Sequence, residues 1–127
     1  MLGVVSPAYA PPGWPEQVRP PGAPWWEDTA IGWLLDQCPP DYRMYQGLKR
    51  HPVVLARFTA LHTEASMAAA RRGISEARTI LRDVLPTESV EGAIAMWERE
   101  GARLMRIRRA VGLIEEAFRG KEFRARL

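Results

Sequence analysis

The chain has 127 residues, enough for one domain at most, with 46% hydrophobic residues and a formal net charge of +3. That balance fits a mildly basic globular protein and falls short of the dense basic footprint of a committed nucleic-acid binder. No run approaches the roughly 20 apolar residues of a membrane span, and the single cysteine, Cys38, permits no internal disulfide, which makes a reducing cytoplasm the expected compartment.

Seven of the eleven prolines fall before residue 25. Proline fixes φ and removes a backbone donor, so residues 1–24 are expected to be neither helix nor sheet but a flexible, extended arm. Trp14 and the "RPPGAP" run give that arm a second reading, as a docking segment for an aromatic groove on a partner. The opening "MLGVVSPAYAPPG" carries a signal-peptidase-like "AYA". No positive charge precedes it, and "LGVV" is far shorter than the roughly 7–15 residues of a signal core, so no signal peptide is expected.

Residues 25–127 are expected to form the folded domain. "WWEDTAIGWLLDQ" reads as a short helix, with Glu27 and Asp28 at its positive end and Ile31, Leu34 and Leu35 as its apolar stripe. "CPPD" stops it, because Pro39 drives Cys38 out of helical geometry. A second short helix is expected from Pro40 to about Leu48, closed by "KRHP".

From Pro52 to Leu85 the only interruption is Gly73. Val53, Ala56, Ala60, Thr63, Met67, Ala70, Ile74, Ala77, Leu81 and Val84 recur in alternating steps of three and four, a heptad seam that keeps its phase through Gly73. One continuous helix of about 50 Å is therefore preferred to a pair broken at "RRG". "LPTES" is a turn, with Thr87 as cap. A second long helix then carries Val90, Ile94, Trp97, Gly101, Leu104, Ile107, Val111, Ile114 and Phe118 inward, ending at Gly120. Two long helices of similar length joined by a tight turn predict an antiparallel helical hairpin. Gly101 is expected at the level of Gly73, where two glycines would permit close contact or a bend.

Val54, Leu55, Phe58, Leu61, Ala65 and Ala69 form a second apolar face on the first long helix, and Ala110, Leu113 and Ala117 widen the seam of the second. A stripe wider than one partner needs implies a further partner. The short N-terminal helices, with Trp25, Trp26, Trp33, Leu34 and Leu35, are expected to cover it. The fold class is thus all-α: a long antiparallel hairpin, two short helices packed at its base, a proline-rich arm, and a turn end projecting as a two-helix arm.

"WLLDQCPPDYR", "RHPVVLARF" and "RRAVGLIEEAFRG" resemble stretches of a family of small, uncharacterised helical proteins from high-GC bacteria. The likeness covers residues 25–127, implies a shared helical fold and transfers no activity or site. Only two of the eighteen basic residues are lysines. That skew, with many Ala, Gly and Pro, reads as coding bias and lowers the weight of arginine as a functional signal.

No constellation calls for catalysis, a metal or a cofactor. His51, His62 and Cys38 lack metal-ligand spacing, and Cys38 reads as a small buried hydrophobe. Arg99, Arg103, Arg106 and Arg109 spread over one broad face of the second long helix and could meet phosphates, but acidic residues interrupt the area and no aromatics interleave. The favoured expectation is a non-enzymatic protein–protein interaction module, an adaptor or small regulatory subunit that self-associates, as a dimer, into a four-helix arrangement. Trp14, Trp25, Trp26 and Leu85 are the candidate contact residues. Nucleic-acid association through the arginine face is the second, less favoured reading.

Overall fold

A computed structural model of the chain describes residues 8–126. Those residues form α1 (Trp26–Asp36), a 3-10 turn (Pro40–Met44), α2 (Gln46–Arg50), α3 (Pro52–Thr79), a second 3-10 turn (Leu81–Asp83) and α4 (Thr87–Phe118), with no strand among them. α3 and α4 make the antiparallel hairpin. Arg57 pairs with Glu115, Glu64 pairs with Arg108, and Gly73 lies against Trp97, so numbers rise along one helix as they fall along the other.

The chain divides into two compact units, Met1–Thr59 with Ala110–Leu127, and Ala60–Arg109. The division cuts α3 and α4 and groups the proline-rich stretch with the first unit, whereas composition had placed a boundary after residue 24. Residues 1–7 of the expected arm lie outside the described residues.

In the first unit, residues 8–24 are neither extended nor detached. Trp14, Val18 and Ala23 donate their backbone N–H groups to the carbonyls of Pro11, Pro15 and Pro20, making successive tight turns. Proline cannot donate, but its carbonyl is a free acceptor, and each turn starts on one. Trp14 and Val18 are buried. The indole of Trp14 lies 6.1 Å from that of Trp26 and 6.3 Å from the ring of Phe123, and its Nε1–H donates to the carbonyls of Val18 at 3.1 Å and Arg19 at 3.2 Å. The flexible-arm expectation therefore does not describe residues 8–24. A tryptophan that buries its ring and satisfies its N–H outweighs the local disorder that proline composition suggests.

Around that cluster, Ala30, Leu34 and Leu35 of α1, Leu48 of α2, Leu55 and Ala56 of α3, and Ala110, Val111, Ile114 and Ala117 of α4 are buried. Each large side chain among them contributes about 1.5–3 kcal/mol. The expected second short helix is instead a 3-10 turn and α2, separated by an extended Tyr45. Cover over the second apolar face is also narrower than expected. Leu55 is buried, but Val54, Phe58, Leu61, Ala65 and Ala69 are exposed, with the Phe58 ring edge-on to that of Tyr42.

α4 ends as its sequence predicts. Gly120 adopts φ 96°, its N–H bonds to the Ala117 carbonyl, and the Lys121 N–H bonds to that of Glu116, the paired bonds of a Schellman cap. At the other end Thr87 is the first helical residue, and Pro86 supplies the carbonyl that receives the N–H groups of Ser89 and Val90.

In the second unit, α3 runs unbroken through Gly73 but stops at Thr79, six residues short of the expected Leu85. Thr79 turns its hydroxyl back to the Ser75 carbonyl, and Pro86 bars a helical Leu85, so the chain tightens into a 3-10 turn. Val84, expected at the end of the seam, is exposed. Ala60, Thr63, Ala70, Ala77, Val90 and Leu104 are buried at seam positions. Gly73 faces the Trp97 indole rather than Gly101. A Cβ added there would stand within 2.4 Å of the ring, whereas one added at Gly101 meets nothing within 4 Å.

Gly73→Ala is therefore expected to destabilise the chain by about 1–3 kcal/mol despite the better helix former. Gly92, in α4 with open space around it, should gain up to about 1 kcal/mol on Gly92→Ala. Urea unfolding followed by far-UV circular dichroism checks both signs.

Candidate protein-interaction surface

The residues singled out in the sequence are not gathered at one place. Trp14 is in the core. Trp26 is half-buried, its ring 4.9 Å from Phe118. Trp25, beside it, is 74% exposed and holds a left-handed backbone, φ 66° and ψ 13°, at the start of α1. That conformation costs a non-glycine residue on the order of 1 kcal/mol. It is held by its surroundings. The Trp26 N–H bonds to the Ala23 carbonyl, the Arg19 guanidinium donates to the Pro24 carbonyl at 2.7 Å, and the Arg19 N–H donates to the Thr29 hydroxyl. Leu85 is exposed and lines a hollow of about 310 Å³ in the second unit, with Arg78, Arg82, Val90 and Ile94.

The arginines of the proposed basic face have different employments. Arg103 donates two hydrogen bonds to Glu100, which hold that carboxyl below the ordinary carboxylate range. Arg109 is also engaged. Arg99 and Arg106 are exposed and have no partner among the described residues. Arg108, just off that face, is held at 2.8 Å by Glu64 across the hairpin.

Cys38 is half-buried, with its Sγ 3.1 Å from the Thr59 hydroxyl, and burial pushes its thiol up from the ordinary value. A thiol so placed is a poor nucleophile at neutral pH, since the thiolate is the reactive form. Among the described residues no three His, Cys, Asp or Glu side chains are grouped to hold a metal ion. No helix among them is long and apolar enough to cross a membrane.

The most apolar of the surface hollows is in the second unit. Met67, Ala70 and Ile74 of α3 and Trp97, Gly101 and Met105 of α4 line an apolar groove of about 330 Å³. Trp97 serves two sides, seated on Gly73 while leaving about a third of its surface open. Arg71 on the α3 rim and Glu98 on the α4 rim flank the groove. Neither has an ion-pair partner among the described residues. Sequence reading placed Met67, Ala70, Ile74, Trp97 and Gly101 on the inner seam and overlooked Met105, which falls between seam positions. Its signal was the stripe Glu98, Ala102, Met105 beside the seam. A third hollow, of about 360 Å³ in the first unit, is lined by Tyr9, Trp26, Lys121 and Phe123. Phe123 was also overlooked, since it lies beyond the helix-ending Gly120.

Trp14→Ala should lower stability by about 3–5 kcal/mol, whereas Trp25→Gly, which relieves the left-handed backbone, should leave thermal stability unchanged or slightly raised. For Cys38 the raised value means that the thiol's contribution to stability is fully present below its ordinary range and is lost as pH rises through the alkaline range. Labelling by a chromogenic disulfide at pH 8 should accordingly be slow in the folded chain and fast in urea. A scan against protein-family models, a search of curated proteins and a search of solved structures each found no match to this chain.

Proposed function

We propose that the chain is a non-enzymatic protein–protein interaction module, a small adaptor or regulatory subunit of a cytoplasmic complex, and that it self-associates through the second unit. The observation that carries this reading is the groove of Met67, Ala70, Ile74, Trp97, Gly101 and Met105. Its residues come from both helices of the pair, and Met105 is 64% exposed. Soluble chains rarely leave a contiguous apolar patch open to water unless something binds there. Ala70 and Gly101 keep the groove shallow-walled at its middle, which lets another helix approach closely.

Supporting this are the further exposed apolar side chains of the same unit, Ile80, Val84, Met96 and Leu85. Solvent-facing ion pairs such as Arg72–Glu76 mark the opposite character, a wet surface with little to offer a partner. The cytoplasmic assignment rests on one half-buried cysteine.

Multi-angle light scattering should give a mass near twice the 14.4 kDa of one chain, falling toward the monomer on dilution. Ala102→Arg, at the exposed edge of the groove, should give a monomer at all concentrations with an unchanged helical spectrum. A wild-type chain that remains monomeric at high concentration defeats the reading.

A further inference from the structure

The groove carries its own rule for seating a partner, and that rule rests on the interaction reading above. α3 and α4 run antiparallel with Gly73 at the height of Trp97 and Glu64 at that of Arg108. On that register, Arg71 and Glu98 differ in height by about two residues, roughly 3 Å at 1.5 Å per residue. They are thus two opposite charges, unpaired among the described residues, on the two rims of one apolar groove at nearly the same level.

A second copy can meet this surface through a two-fold axis in two ways, since a closed isologous contact uses the same patch twice. With the axis across the groove, α3 lies on the partner's α3. Arg71 then faces the partner's Arg71, and Glu98 faces the partner's Glu98. With the axis parallel to the helices, α3 lies on the partner's α4 at the same height. Arg71 then reaches the partner's Glu98, and the pairing occurs twice. The same seating sets Ala70 over the partner's Gly101, small against small, and Met67 beside the partner's Met105. Like charges brought together oppose docking and opposite charges favour it, which selects one of the two arrangements.

We propose that the occupant of the groove is a second copy of this chain, related by a two-fold axis parallel to α3 and α4, with Arg71 of each copy paired to Glu98 of the other. The product is a four-helix arrangement in which every neighbouring pair of helices is antiparallel.

The test is charge reversal in the full chain, read by sedimentation-equilibrium dissociation constants. Arg71→Glu and Glu98→Arg should each weaken the dimer by about tenfold or more, and the two together should restore it. In a Cys38→Ser background, a mixture of Arg71→Cys and Glu98→Cys chains should cross-link to each other under mild oxidation, and neither should cross-link with itself. Self-cross-linking of the Arg71→Cys chain, or a dimer indifferent to both reversals, overturns the proposed seating and leaves the interaction module standing. A wild-type chain that is monomeric and indistinguishable from Ala102→Arg overturns both.

Discussion

The close pairing of α3 with α4 is the constraint on which the remaining structure depends. Its means are unusual for so apolar a seam, because α3 supplies mostly alanine at the contact: Ala56, Ala60, Ala70 and Ala77 are all buried. Alanine contributes little area, so the larger residues of α4, Leu104, Val111 and Ile114, provide most of the apolar burial. The pairing gains from proximity rather than bulk. Trp97, a large side chain that crosses toward α3 in the second unit, is admitted there because Gly73 has no Cβ. One missing methyl on α3 therefore decides where an indole goes, and the indole in turn forms part of the groove.

Small residues on the inside leave polar satisfaction to be arranged locally. Thr59 and Thr63 are buried without strain on the hairpin, Thr59 by donating to the Leu55 carbonyl one turn back. Charged pairs sit at the edges. Glu115 receives Arg57 from α3 and Arg119 from its own helix, and Glu64 receives Arg108. A surface pair such as Glu64–Arg108 contributes little to stability, typically under about 1 kcal/mol, while the Glu115 carboxyl is largely shielded from water. The effect of these pairs is to fix register, since a slip of one residue would turn these partners away from each other. Among the described residues Arg71 and Glu98 are opposite charges without such partners, one on each rim of the groove.

Much of the fold was legible because heptad spacing is a periodic signal that tolerates single exceptions. The α3 seam kept phase through Gly73, and α3 is continuous there. Gly120, followed by no further apolar period, marked the end of α4 and is in the left-handed conformation. What was not legible is of another kind. Thr79 and Pro86 shortened α3 by a local hydrogen bond and a backbone restriction that periodicity does not weigh. The proline-rich stretch was misread because composition counts prolines and overlooks a single tryptophan with a place to go. Of the candidate site, Trp97 and Gly101 were visible as seam residues. Their role in a groove depends on Met105, which falls between seam positions and whose flexible side chain fills an irregular surface.

The aromatic cluster of the first unit joins residues from opposite ends of the sequence: Trp14 touches Phe123, and Trp26 touches Phe118. During synthesis the chain leaves the ribosome from its N-terminal end, so Trp14 and Trp26 emerge long before either phenylalanine exists. The turns begun by Pro11, Pro15 and Pro20 then have no surface on which to close. Contacts of such wide sequence separation form late because the loop between them must first be ordered. The proline-rich stretch is thus made before the helix end that secures it, and until α4 and Phe123 are made Trp14 and Trp26 lack the phenylalanines they pack against.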